Sequence, residues 1–139
     1  LPPFLVENSG LNSGYMIPQY TAAALCNRNK TLSFPSSADS IPTSANQEDH
    51  VSMGANSVIK LSEIVENLKG IISIEFLLGA QSLEFSGKKF SASTGLVYKK
   101  IREKIPPLTA DRPSTDDISA IAKMIENGDI KNLIPEKWY

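Results

Sequence analysis

The stretch from Glu48 to Leu83, EDHVSMGANSVIKLSEIVENLKGIISIEFLLGAQSL, decides the fold. Val51, Ala55, Val58, Leu61, Val65, Leu68 and Ile72 recur at spacings of three and four, the signature of one helical face. Lys60, Glu63, Glu66 and Lys69 fall off that face. Gly70 interrupts, but Ile71, Ile74, Phe76, Leu77 and Leu78 carry the apolar pattern on, now nearly all round the helix. A helix apolar all round is expected to be buried on several sides. The pattern predicts one helix over about 48–83, some 50 Å long at 1.5 Å per residue. A compact chain of this size has a radius of gyration of only about 14 Å. Such a helix outruns its own domain, so its far end is expected to need partners from outside the chain.

On either side the reading is also helical. Tyr20 to Leu25 is helix-favouring and apolar, with Pro18 in the first helical turn and Asn27 to Asn29 as its expected end. Ser91 to Ile105 is a shorter amphipathic helix with Leu96, Val97, Ile101 and Ile105 on one side, stopped by Pro106-Pro107. Pro113 to Asp117 reads as a helix start, Ile118, Ile121, Ala122 and Ile125 as its stripe, and Gly128 as its end. No stretch alternates with period two. The fold class is all-α, a long-helix bundle segment with shorter flanking helices.

Three segments fall outside the helices. Asn8-Ser9-Gly10 and Asn12-Ser13-Gly14 repeat a turn-forming triplet, so 1–14 is a loop. Residues 33–47 hold Pro35, Pro42 and many serines, a loop long enough to be functional. Residues 128–139 read as a peripheral tail, with Trp138 and Tyr139 at its end.

Composition narrows the function classes. The 139 residues carry 15 acidic and 14 basic side chains, net −1, with 41% hydrophobic residues, an ordinary globular balance. That gives no broad basic field for nucleic acid or a membrane surface. No apolar run approaches the ~18 residues of a spanning helix. One cysteine, Cys26, excludes an internal disulfide, and one histidine, His50, excludes a multi-histidine metal centre. Cys26 reads as a small buried residue, and Lys99, Lys100, Arg102 and Lys104 as a solvated basic face. The chain opens Leu1-Pro2-Pro3-Phe4, without Met or a signal-peptide pattern. It is expected to be a piece of something longer.

The densest polar cluster is Thr43-Ser44-Ala45-Asn46-Gln47-Glu48-Asp49-His50. At the start of a helix Asn46, Glu48 and Asp49 read most simply as capping groups. Asp49 and His50 are adjacent, which on a helix points them about 100° apart.

Pro42 to Gly54, PTSANQEDHVSMG, resembles the C-terminal part of the histidine ammonia-lyase branch of the MIO-dependent aromatic amino-acid lyases. Asn8 to Leu25, NSGLNSGYMIPQYTAAAL, resembles the same family in the same order, as do Arg102 to Pro106 and Asp111-Arg112. The resemblance implies a long-helix bundle, a cytoplasmic homotetramer with sites shared between subunits, and conversion of L-histidine to trans-urocanate in histidine catabolism. It implies MIO, an electrophile made autocatalytically from an internal Ala-Ser-Gly. That triplet is absent here; the nearest strings are Asn8-Ser9-Gly10, Asn12-Ser13-Gly14 and Phe85-Ser86-Gly87. The chain alone is therefore expected to be inactive, a C-terminal fragment or separately made subunit that works with the N-terminal remainder.

One family site residue carries over: the glutamate of Asn-Gln-Glu-Asp-His, here Glu48. The resemblance gives it recognition of the substrate imidazole, with assistance in proton transfer as a second role. Gln47 is the other substrate-binding candidate, and His50 matches without an assigned role. The phenylalanine and tyrosine branches carry an amide where Glu48 stands. A carboxylate can accept the imidazole N–H or stabilise the charged ring; facing a phenyl ring it would be an unpaired burden. Two rival readings remain: a phenylalanine- or tyrosine-type lyase segment, and a non-catalytic helical assembly module.

Overall fold

The computed structural model describes residues 1–134; Trp138 and Tyr139 lie outside the described residues. Four helices follow in order: α1 (Met16–Leu32), α2 (Gly54–Ser86), α3 (Ala92–Arg102) and α4 (Thr115–Glu126). Short 3-10 turns occupy Pro3–Leu5 and Lys131–Leu133. Among the described residues the only β pairing is in two isolated bridges, Ser9–Asn12 and Thr43–Glu48. The all-α expectation holds.

The long helix has the expected length and a different start. It spans 33 residues, about 50 Å, but begins at Gly54 rather than near 48. Residues 43–48 are held instead by their own bridge, and Val51 donates its N–H to Ser40 Oγ at 2.9 Å. Those contacts take up backbone groups that a helix would have used. Gly70 does not interrupt α2. A Cβ there would sit 3.2 Å from Leu25 Cδ1, so the glycine lets α1 approach closely.

α1 runs antiparallel to α2 and extends past its expected end at Asn27–Asn29, to Leu32. The extra turn is held by α2: Arg28 pairs with Glu63 at 2.7 Å, and Asn67 Nδ2 donates to Asn29 Oδ1 at 2.9 Å. Tertiary contact has overridden the weak helix propensity of asparagine. Lys60 Nζ also donates to the Phe34 carbonyl, pinning the chain where it leaves α1.

These contacts place α1 over Glu63, Asn67 and Gly70, and the segment that follows α1 over Lys60. The apolar stripe of this half lies on another side, and Val58, Leu61, Val65 and Leu68 are exposed. Cys26, expected to be buried, is exposed too.

The core lies at the far, C-terminal end of α2, so the half left bare is the N-terminal one and not the far end expected to need partners. Leu77 and Ala80 pack with Ile101, Ile105, Leu108, Ile121, Met124 and Ile130, and with Val6 and Tyr15 from the N-terminal segment. Ile130 ties the start of the expected peripheral tail into this core. α4 ends as its glycine predicts, with Gly128 N–H on Ile125 O and Asp129 N–H on Met124 O, a Schellman closure. Gln81 sits at the centre. Its Nε2 donates to Leu5 O (3.0 Å) and Leu108 O (2.9 Å), and its Oε1 accepts from Leu108 N–H (3.0 Å) and Arg102 Nη2 (3.3 Å). One side chain thereby joins the N-terminal segment, α2, α3 and the 105–108 linker. Arg102 is no part of a solvated face: its side chain is largely buried, pairs with Glu84 at 2.8 Å and lies over the Tyr98 ring.

The repeated Asn-Ser-Gly segment is clamped from the far end of the chain. Asp111 accepts Ser13 N–H and Gly14 N–H, each at 2.8 Å. Gly14 has φ +53, and a Cβ there would meet Phe4 O at 2.5 Å, so no other residue fits.

Candidate functional site

The polar cluster predicted from sequence forms a tight reversal at the end of the molecule opposite the core. Ser44, Ala45 and Asn46 all have positive φ, at 53°, 55° and 65°. Three consecutive non-glycine residues in the left-handed region are costly, of order 1 kcal/mol or more each. The reversal brings Thr43 and Glu48 face to face. Thr43 N–H donates to Glu48 O at 3.0 Å, Glu48 N–H to Thr43 O at 3.3 Å, and Gln47 N–H to Ser44 O at 3.1 Å. The Thr43 hydroxyl then donates to Glu48 Oε2 at 3.2 Å. Strain of this kind gathers at functional sites, where a side chain must be aimed against the backbone's preference.

Glu48 is therefore not a helix cap. It stands six positions before the first residue of α2, in an exposed loop, and neither Asn46 nor Asp49 caps that helix, whose N-cap is Met53. Gln47, Asp49 and His50 are exposed on the same loop. Among the described residues, the side chains of Asp49 and His50 have no hydrogen-bonded or ionic partner, so they form no acid–base pair. The structure brings Glu48 together with Thr43, for which the sequence alone indicates no role.

Further contacts hold the loop to the frame. Lys60 reaches both the Phe34 carbonyl and Ser36 Oγ, the latter at 3.3 Å. Ser40 Oγ fixes Val51 as above. A cleft of about 590 Å³ opens beside the loop, lined by Phe34, Ala38, Asp39, Met53, Asn56 and Lys60. Spacing on a helix gives no warning of Lys60, because its role depends on where a distant loop lands. A larger, apolar groove of about 710 Å³ lies at the core end, between α2 and α3.

Among the described residues no cluster of three or more His, Cys, Asp or Glu could hold a metal ion. No helix there is long and apolar enough to cross a membrane. The MIO precursor is not offered by any X-Ser-Gly string. Ser9 is held in its bridge with Asn12, Ser13 N–H is taken by Asp111, and Ser86 Oγ donates to Leu83 O and accepts Lys88 N–H. These residues do not fit a role in making that group.

The family profile for aromatic amino acid lyases matches residues 1–103, which contain both the clamped Asn-Ser-Gly segment and the Glu48 loop. The chain belongs to the aromatic amino acid lyase family. Within it, the chain is 67% identical to the probable histidine ammonia-lyase of Thermoplasma volcanium, over 95% of this chain and 27% of that protein. It is 49% identical to the histidine ammonia-lyase of Caldanaerobacter subterraneus, over 99% of this chain and 27% of that protein. The crystal structure of histidine ammonia-lyase from Trypanosoma cruzi superposes with a TM-score of 0.90 at 43% identity, covering 99% of this chain and 28% of that one. The tyrosine aminomutase of Streptomyces globisporus superposes with a TM-score of 0.89 at 34% identity, covering 96% of this chain and 26% of that one. The chain thus spans about a quarter of the length of the lyases it matches.

Proposed function

We propose that this chain supplies the substrate-recognition carboxylate of a histidine ammonia-lyase, which eliminates ammonia from L-histidine to give trans-urocanate. The observation that carries the reading is Glu48, an exposed carboxylate aimed by a strained reversal and held through one oxygen. The free oxygen, Oε1, would accept the imidazole N–H of the substrate or stabilise its charged form. Gln47, on the same turn, is the second candidate for a substrate contact. The likeness to proteins called histidine ammonia-lyase, at 67% and 49% identity, supports histidine over tyrosine, since the aminomutase is more distant at 34%. It also tells against a purely architectural role.

The reaction breaks the Cα–N bond and one Cβ–H bond and forms the Cα–Cβ double bond. The electrophile that activates the amine in this family, MIO, would come from an Ala-Ser-Gly that these 139 residues do not contain. The active unit is then this segment joined to the rest of a lyase, as a cytoplasmic homo-oligomer in which the exposed stripe of α2 is covered. Urocanate absorbance tests the assignment. The complete lyase is expected to form urocanate from histidine, with little turnover of phenylalanine or tyrosine, and the 139-residue chain alone is expected to form none. Urocanate from the purified chain, or preference for tyrosine in the complete enzyme, overturns it.

A further inference from the structure

We propose that Thr43 is a positioning residue for the Glu48 carboxylate, and so a determinant of specificity for the imidazole-bearing substrate. The inference rests on the reading of Glu48 given above. The loop is built so that these two side chains meet. Two backbone hydrogen bonds pair Thr43 with Glu48, and the three intervening left-handed residues make that pairing possible. The Thr43 hydroxyl donates to Oε2 at 3.2 Å. Among the described residues no other side-chain or backbone group bonds the Glu48 carboxylate.

The arrangement has a chemical consequence. An exposed glutamate has three rotatable side-chain bonds and populates several staggered rotamers. A single donor on Oε2 selects among them and leaves Oε1 with its acceptor capacity unspent. A contact to a reacting substrate depends on such preset orientation, because a displacement of about 1 Å lowers the rate steeply. The strained turn belongs to the same device. A relaxed connection between residues 43 and 48 would remove the energetic penalty of the left-handed residues, and with it the pairing that puts the hydroxyl on the carboxylate. The gain lies in the aim of Glu48, not in the stability of the loop.

A double-mutant cycle in the complete lyase tests this, with Thr43→Val, Thr43→Ser and Glu48→Ala, histidine as substrate, and kcat/KM and melting temperature as readouts. Thr43→Val keeps the shape and removes the donor. It is expected to lower kcat/KM about 5- to 20-fold, the scale of one orienting hydrogen bond. Thr43→Ser restores the hydroxyl and should return kcat/KM to within about twofold of the parent. In the Glu48→Ala background, Thr43→Val should change kcat/KM by less than about twofold, because the group it aims is gone. Equal losses from Thr43→Val in both backgrounds, or failure of Thr43→Ser to rescue, would overturn the proposal and make Thr43 a structural residue of the loop. Full activity of Thr43→Val would overturn it as well. If Glu48→Ala itself leaves turnover of folded enzyme near normal, the reading of Glu48 fails first. That result is distinct from a large Glu48 effect without coupling to Thr43, which would sink this inference alone.

Discussion

The two halves of α2 are built from similar apolar residues and meet opposite fates. In the C-terminal half Leu77 is fully buried, with Ala80 and Gln81 beside it, under the N-terminal segment, α3 and α4. In the N-terminal half Leu61 is 58% exposed and Val65 53%, although both belong to the cleaner helical stripe. The difference lies in what lands on each half. α1 covers the first half along Glu63, Asn67 and Gly70 and leaves the adjacent stripe bare. The accessible surface, 9516 Å², exceeds the roughly 7,100 Å² typical of a compact monomer of 15.1 kDa. One half of the helix is a finished core. The other is a frame that holds the Glu48 loop and leaves an apolar face exposed.

The largest effects should come from the finished half. Gln81→Leu strands Leu5 O, Leu108 O and Leu108 N–H in the core, at about 1–3 kcal/mol for each buried group left unpaired. A loss of about 3–6 kcal/mol is expected in urea unfolding of the chain, a large part of the roughly 5–15 kcal/mol that stabilises a typical domain. Leu77→Ala should cost about 3–5 kcal/mol, while Leu61→Ala should fall within about 0.5 kcal/mol. Equal costs at Leu77 and Leu61 would break the contrast between the halves.

The pattern of legibility follows the same division. Helix number, the length of α2 and the Schellman end of α4 were readable because they depend on local spacing and on Gly128. The start of α2 was not, since Val51 looks like one more stripe residue until Ser40, eleven positions earlier, takes its N–H. The face to which α1 would dock was not readable either. It is set by polar and small residues, Glu63, Asn67 and Gly70, which hydrophobic periodicity ignores. At the site, the resemblance singled out Glu48 while composition favoured a helix cap, and the structure removes the cap. Thr43 was missed because its partner is five residues away across a left-handed turn, a conformation that Ser44 and Ala45 do not advertise.

The next effect belongs to the frame half. In the complete lyase, Glu48→Gln keeps the shape and removes the charge. Loss of a charge-assisted contact to the reacting substrate should cost about 2–4 kcal/mol, or roughly 30- to 1000-fold in kcat/KM. The melting temperature should hold, because Glu48 is exposed and caps no helix. A lowered melting temperature with normal kcat/KM would return Glu48 to a structural role and leave the two halves of α2 without a functional distinction.

A smaller effect sharpens what the bare stripe does. Val58, Leu61, Val65 and Leu68 repeat at intervals of three, four and three, the spacing of a helix–helix seam. The isolated chain is expected to self-associate in light scattering at high concentration. The double change Leu61→Ser, Val65→Ser should weaken that association about tenfold, near 1.4 kcal/mol, with little change in helix content. A compact monomer at every concentration would mean that the stripe does not seek a partner on its own.

The smallest effect tests the chemistry of the core end. The Tyr15 hydroxyl is buried and has no hydrogen-bond partner, and Asp117 Oδ2 is buried without an aligned donor, although Arg112 Nη1 lies 2.6 Å away. Burial pushes the Tyr15 pKa above its ordinary value near 10, and the Asp117 carboxylate adds to the shift, against the opposing influence of Arg112 and Arg102. A raised folded-state pKa means that the unfolded chain loses the proton first. The stability is fully present below about pH 10 and is lost as pH rises from there through the folded-state value. Tyr15→Phe removes the unpaired hydroxyl and the titration together. At neutral pH it should change stability by less than about 1 kcal/mol, with any change favourable. Above pH 10 the variant should resist unfolding better than the parent, in urea titrations run at matched ionic strength. Parallel alkaline losses in the two proteins would show that Tyr15 ionises as readily folded as unfolded, and that the finished half of α2 is more open to water than its packing indicates.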